Sequence, residues 1–433
     1  APMIGVLLTV ARRLLMWLDP TGRITSASPP GSLGPSPLTV LPALRHTVFT
    51  RAYWRSRWTR WQTSRNTAVP TIFKPELVLP SAAIPAGSAR PWSLRPEDLS
   101  MVTYEYDGRQ RSVAEFMVDR ETDGIVFIKD GQLVFEAYAN GFDRFTLHHC
   151  WSSTKAYVST LIGNAIHIGL IDSVADPIER YLPASAGSGW EGTTLQQLLR
   201  MESGVAWDEH TSHLFRNSQF AQWQRLTLDY LTSGRIGRTR DEYLLSLPRT
   251  EPAGSRFNYN SANTQMLAWI LEEVHSRPFA QVLSNQLWKP LGCEQDGAIY
   301  TDRLGAAPAS MGLYATPRDF ARLGQLMLAG GVSATGERLV STDWIQQATS
   351  FSTLSKGQYG YQWWENGPEL KGYTASGFTG NVISVAPELN MVGVRTAHDF
   401  SLPPDYSRPS LESPVDMGRE EFQALFVAVG RAL

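Results

Sequence analysis

The sequence predicts an α+β fold: an antiparallel sheet flanked by helices, with a mainly helical segment inserted and an extension at the N-terminus. Three observations carry that expectation. Residues 124–141, GIVFIKDGQLVFEAYANG, alternate apolar and polar positions around Asp130-Gly131, the dipeptide favoured in two-residue hairpin turns. Helical periodicity dominates from Ser152 to about residue 290. Strand-like patterns then return near the C-terminus in YGYQWWENG, YTASGFTGNVISVAP and MVGVRTAHDF. Strands at both ends with helices between divide the chain into a discontinuous α/β domain, 99–168 with 291–433, and a helical domain, 169–290.

Taken in order, residues 1–98 form the extension. Residues 3–18 are apolar but broken by Arg12 and Arg13, and their charge follows the apolar stretch where a secretory leader would carry it in front. The expected element is an N-terminal helix, packed on the body or resting weakly on a membrane surface. The cytoplasm is the expected compartment and the periplasm the alternative. Trp54, Trp58 and Trp61 recur at helical spacing among arginines, as a packed face would. Segments 27–42 and 80–95 are rich in Pro, Ser and Gly and read as linkers. After the hairpin, Ser152 to Gly169 presents Val158, Leu161, Ile162, Ala165 and Ile166 on one side, a helix with one buried face closed by Gly169. TQMLAWILEEVHS, PRDFARLGQLMLAGG, STDWIQQAT and EEFQALFVAVGRAL read as further helices.

Composition narrows the function. The chain has 433 residues, 42% of them hydrophobic and 18% charged, which suits packed cores and excludes a disordered chain. A net charge of −2 gives no general attraction to nucleic acid. Two cysteines, Cys150 and Cys293, support neither a disulfide framework nor a Cys-rich zinc module. No apolar run is long enough to span a membrane. A small-molecule substrate is the expected partner, with a homodimer left open.

The chemistry centres on Lys155. Of six lysines, it alone has a serine three positions earlier, in Ser152-Ser153-Thr154-Lys155. Positions i and i+3 share a helix face, so the amine can reach the Ser152 hydroxyl, whereas Ser153 points away. A serine hydroxyl is nearly inert without an adjacent base, and an unprotonated amine can serve as one. A helix start near Ser152 also offers free N–H groups to an oxyanion. About a hundred residues on, Tyr259-Asn260-Ser261 lies in the entry loop of a helix, where polar groups can face a cleft. Ser376-Gly377-Phe378-Thr379-Gly380 begins a strand with small residues that let a substrate approach the backbone.

These blocks, in this order, resemble the serine β-lactamase and penicillin-binding-protein superfamily, and within it the 6-aminohexanoate-dimer hydrolases and related esterases. The likeness runs from about 120 to 400. It includes the S-x-x-K helix, Tyr259-Asn260-Ser261-Ala262-Asn263-Thr264 continuing into LAWI, PRDFARLGQLMLAGG, QWW at 362–364 and the G-x-x-G turn at 377–380. The resemblance implies that Ser152 forms an acyl-enzyme and that Lys155 takes or relays its proton. It also implies that Tyr259 acts as base in acylation and as acid toward the leaving group. The backbone N–H groups of Ser152 and Phe378 would form the oxyanion hole, and Ser261 would stand where β-lactamases place an Asn. Lys155 and Tyr259 both stay open as the acylation base.

Departures from the pattern point away from β-lactams. No K-T-G or H-T-G occurs; the corresponding strand reads Ala375-Ser376-Gly377. Thr211 lies near the place where the nylon-oligomer enzymes carry a substrate-facing tyrosine, with Trp207 and His210 as neighbours. An ester or linear amide substrate flanked by Trp363 and Trp364 is the expectation, with no metal or organic cofactor. Alternatives are β-lactamase or DD-peptidase activity, and a non-catalytic sensor or scaffold of the same fold. Two other sites compete: donors at metal-like spacing in Asp208-Glu209-His210-x-x-His213, and a Ser-His-Asp triad drawing on His148 or His149. No G-x-S-x-G elbow is present.

Overall fold

The computed structural model describes residues 81–209, 218–228, 240–302, 304–367, 369–399 and 417–433. The expected N-terminal helix, the tryptophan stripe and the linker 27–42 lie outside the described residues, as do His210, Thr211 and His213. The strands, in chain order, are β1 (Ser81–Ile84), β2 (Thr103–Tyr106), β3 (Arg109–Ser112), β4 (Thr122–Lys129), β5 (Gln132–Tyr138), β6 (His148–His149), β7 (Gly297–Tyr300), β8 (Leu313–Ala315), β9 (Trp364–Glu365), β10 (Tyr373–Gly377), β11 (Asn381–Ala386) and β12 (Met391–Ala397). The helices are α1 (Val113–Asp119), α2 (Thr154–His167), α3 (Leu195–Leu199), α4 (Gln219–Leu228), α5 (Arg240–Leu245), α6 (Ser261–His275), α7 (Phe279–Leu283), α8 (Pro317–Leu328), α9 (Thr342–Ala348) and α10 (Arg419–Ala432).

The main sheet is antiparallel with order β5-β4-β12-β11-β10-β9. Its hairpin turns where expected, with Asp130 and Gly131 both at positive φ, the geometry of a two-residue turn matched to strand twist. Helices cover both faces of this sheet. On one side α8 sits so close that a Cβ on Gly324 would lie 2.6 Å from Val392 and 2.8 Å from Ile383, a spacing open only to glycine. On the other, Phe422 and Phe426 of α10 stack with Phe127 of β4. A smaller sheet, β1-β7-β8-β6, ends at the histidine pair that leads into the Ser152 turn.

Four sequence expectations change. The described part of segment 80–95 is integral to the fold, not a linker: β1 pairs with β7 in register from Ser81↔Tyr300 to Ile84↔Gly297. Trp92 then lies buried with the Arg322 guanidinium 3.7 Å from its ring centre. The helix read from Ser152 begins as a 3₁₀ turn, Trp151–Ser153, before α2. Nor has α2 a single buried face, since every residue from Thr154 to Ala165 is buried. It runs through the interior against α6, so polar residues on it must find internal partners. The strand expected over YGYQWWENG reduces to β9, because Gln362 takes φ 66° and turns its amide inward. That amide donates to the carbonyls of Leu198 and Leu199 and accepts from the Thr264 hydroxyl.

Candidate active site

The turn that carries Ser152 is assembled by packing against the end of β10. Trp151 holds φ 49°, an unfavourable value for a bulky residue, and the neighbourhood must hold it there. Its carbonyl accepts from the Thr154 hydroxyl at 2.6 Å, and its ring lies 4.1 Å from His149 and 5.3 Å from Phe378, centre to centre. Gly377 closes the contact: a Cβ there would fall 2.4 Å from the Cys150 carbonyl oxygen and 3.1 Å from the Trp151 Cβ. The small residue therefore serves the meeting of strand and turn, and Phe378 is brought against the Trp151 ring, next in the chain to Ser152.

Ser152 and Lys155 meet as their spacing predicts. The Lys155 Nζ donates to Ser152 Oγ at 3.0 Å and to the Ser310 carbonyl at 3.1 Å. Lys155 is only 1% exposed, so this amine is held in the interior by neutral oxygens. Ser153 points the other way, its hydroxyl donating to the Asn381 carbonyl at 2.9 Å. Tyr259 faces the same lysine, with Nζ 4.9 Å from its ring centre. Trp364 stacks on Tyr259 at 5.6 Å, and Tyr359 meets it edge-on at 6.1 Å. Burial, then the charges of Tyr259 and Glu209, push the Tyr359 phenol well above its ordinary range, so Tyr359 is a neutral wall.

The other candidate residues divide. Trp364 is partly exposed and stays with Tyr259, whereas Trp363 is fully buried and packs edge-on against Tyr373 at 5.4 Å. Trp363 is thus a core residue and cannot flank a substrate. Ser261 is also buried, and its hydroxyl is spent on the Glu209 carboxylate at 2.6 Å. Trp207, 6% exposed, packs on Phe220 and Trp223 and gives its indole N–H to the same carboxylate at 2.7 Å. Both residues support the wall of the site from behind. Glu209 is therefore committed to internal donors, which removes it from the metal-like cluster.

The histidines before Ser152 are structural. His148 is buried, with Nδ1 on the His149 carbonyl at 3.1 Å and Nε2 on Asp123 at 3.0 Å. Both ring nitrogens are engaged by these oxygens inside the protein, so neither is turned toward Ser152. Burial alone would raise the Asp123 carboxyl, but hydrogen bonds from His148 and His398 outweigh it and hold the group below the usual carboxylate range. His149 lies flat on Tyr314, donates from Nε2 to the Met311 carbonyl at 2.6 Å, and is pushed down by burial to about 3. His148 has both ring nitrogens on other partners, and among the described residues His149 has no carboxylate partner, so neither ring completes a triad with Ser152.

Sequence reasoning missed Ser310 and Glu209 as neighbours of this site. Ser310 acts through its backbone carbonyl, which carries no residue-type signal. Glu209 stood in a polar run whose partners lie some fifty residues away.

Residues 109–411 match the Beta-lactamase family model. The 6-aminohexanoate-dimer hydrolase of Paenarthrobacter ureafaciens is 31% identical over 291 residues, covering 63% of this chain and 72% of that protein. Among solved structures, a Bacillus anthracis protein assigned to the 6-aminohexanoate-dimer hydrolases superposes with a TM-score of 0.72 at 21% identity, covering 88% of this chain and 95% of its own. A family VIII carboxylesterase superposes with a TM-score of 0.53 at 15% identity, covering 73% and 95%. These last two likenesses show the shared fold. Among the described residues no helix is long and apolar enough to cross a membrane.

Proposed function

Because the chain belongs to the beta-lactamase family, we propose that it is a serine hydrolase that cleaves ester or linear amide bonds through an acyl-Ser152 intermediate. The observation that carries this reading is the buried Lys155 amine 3.0 Å from Ser152 Oγ. With one Nζ hydrogen held by Ser310, the amine in its neutral form turns its lone pair toward the serine, and the same contact then carries the proton from oxygen to nitrogen. As Oγ bonds to the substrate carbonyl carbon, the carbonyl electron pair moves onto its oxygen. The backbone N–H groups of Ser152 and Phe378 are the donors we assign to that oxyanion. When the oxygen–carbon double bond re-forms, the alcohol or amine leaves with a proton passed from Lys155 by way of Tyr259. Water repeats the sequence to release the acid and restore Ser152. No metal or organic cofactor enters these steps.

Substrate class follows from what lines the cleft. The strand beside the nucleophile offers Ala375, Ser376 and Gly377, with no cation for the carboxylate of a β-lactam. Trp364 and Tyr259 supply an apolar wall suited to an acyl chain. The homologous 6-aminohexanoate-dimer hydrolase supports a linear amide, and the carboxylesterase likeness in fold makes an ester the simplest probe. Turnover of short-acyl p-nitrophenyl esters against nitrocefin tests the assignment: ester turnover lost in Ser152→Ala is expected. Preferential nitrocefin turnover would refute the proposed specificity.

A further inference from the structure

Glu209 has a role that the proposed reaction does not yet use. Its carboxylate accepts the Ser261 N–H at 2.7 Å, the Trp207 indole N–H at 2.7 Å and the Ser261 hydroxyl at 2.6 Å. A carboxylate offers about four lone-pair sites, so most of its capacity is spent on donors inside the protein. Such a group is part of the wall and not a solvated rim charge. Ser261 is the first residue of α6, where backbone N–H groups have no intrahelical partner and the helix end favours negative charge. Asn260 accepts from Ala262 and Asn263, and Glu209 takes the N–H before them.

Tyr259 stands two positions ahead of Ser261, and its other side is tied to the same segment. The Asn258 side chain donates to the Trp207 carbonyl at 3.0 Å, and the Asn258 N–H to the Met201 carbonyl at 2.9 Å. The tyrosine thus hangs between two anchors, both on residues 201–209, and Glu209 is the charged one. We propose that Glu209 is a positioning residue: its clamp on Ser261 holds the Tyr259 ring against Lys155 and so sets the rate of acylation. The proposal rests on the acyl-Ser152 reading and adds to it the group that fixes the tyrosine.

The test compares the parent with Glu209→Ala, Glu209→Gln and Ser261→Ala. It measures the rate of fluorophosphonate labelling at Ser152, kcat and KM for p-nitrophenyl butyrate, and the melting temperature. Glu209→Ala is expected to slow labelling and kcat by about ten- to a hundredfold, with KM moved less than about threefold, since the tyrosine it displaces transfers the proton while Trp364, the other half of the acyl wall, has no bond to Glu209. Glu209→Gln should recover most of that loss, because its amide oxygen still accepts the Ser261 N–H. Ser261→Ala keeps that N–H and should lose about three- to tenfold. Labelling of Glu209→Ala at the parent rate overturns the proposal, as does Glu209→Gln no faster than Glu209→Ala. If Glu209→Ala fails to fold, Ser261→Ala decides: the stated loss supports the clamp and parent-like labelling overturns it. A parent protein that takes no label at Ser152 overturns the reaction itself, an outcome distinct from normal labelling that Glu209 does not affect.

Discussion

Gly377→Ala is the smallest change that separates the packing of the site from its chemistry. The residue has φ −121°, a backbone that alanine adopts freely, so the added methyl is the whole perturbation. That methyl would fall 2.4 Å from the Cys150 carbonyl oxygen, which is backbone and cannot rotate away. Reaching an ordinary contact of 3.4 Å requires β10 and the Ser152 turn to part by 3.4 − 2.4, or about 1 Å. Overpacking of this kind costs about 1–3 kcal/mol, and a displacement of about 1 Å at a reacting group is worth about a hundredfold in rate. We therefore expect kcat/KM for p-nitrophenyl butyrate to fall by about a hundredfold while the melting temperature drops by only several degrees. The assay is steady-state ester hydrolysis normalised to folded protein. A kcat/KM within twofold of the parent would refute the claim that this contact sets the nucleophile against the strand.

Two further predictions concern buried charge. Replacing Asp123 by Asn sets an amide against His148 and His398 and breaks a buried pair, which should destabilise the protein by about 3–5 kcal/mol while leaving kcat/KM per folded molecule within a few-fold. Unchanged stability with activity lost more than a hundredfold would instead make Asp123 and His148 part of the chemistry. Glu272 is raised to about 7, chiefly by burial, against the N–H of Phe279 and with Asp241 and Glu273 adding negative charge. A carboxyl whose folded value lies above its unfolded value of 4.5 binds its proton more readily when folded, so stability falls as pH rises from about 4.5 to 7. Glu272→Gln keeps an acceptor for Phe279 and should be more stable than the parent by about 2–3 kcal/mol at pH 8, with the gap closing below about pH 5. Thermal melts across that range check it, and an equal gap at both ends contradicts it.

How far the sequence could be read depended on whether a feature was local. The Asp130-Gly131 hairpin and the reach of Lys155 to Ser152 follow from turn chemistry and helix spacing, which need no distant partner. A second hairpin is equally legible: β2 and β3 turn at Asp107-Gly108, the same dipeptide, both at positive φ. Trp363 and Trp364 are adjacent and alike in type, yet one is core and the other wall. Successive residues of extended backbone face opposite ways, and which of the two is core depends on Tyr373 of β10 packing on Trp363, a partner distant in sequence. The roles of Ser261 and Trp207 could not be inferred because both depend on Glu209, which reaches α6 only once the chain has folded. Segment 80–95 looked like a linker by composition, and β1 shows that four residues suffice to pair with a distant strand.

The most direct test is intact-protein mass after brief incubation with p-nitrophenyl butyrate, comparing the parent with Ser152→Ala, Lys155→Ala and Tyr259→Phe. The parent should turn over ester and carry a butyryl adduct on Ser152 whenever deacylation is the slower step. Ser152→Ala should show neither, and the other two variants should acylate more slowly. Full turnover by Ser152→Ala would contradict the account at its centre.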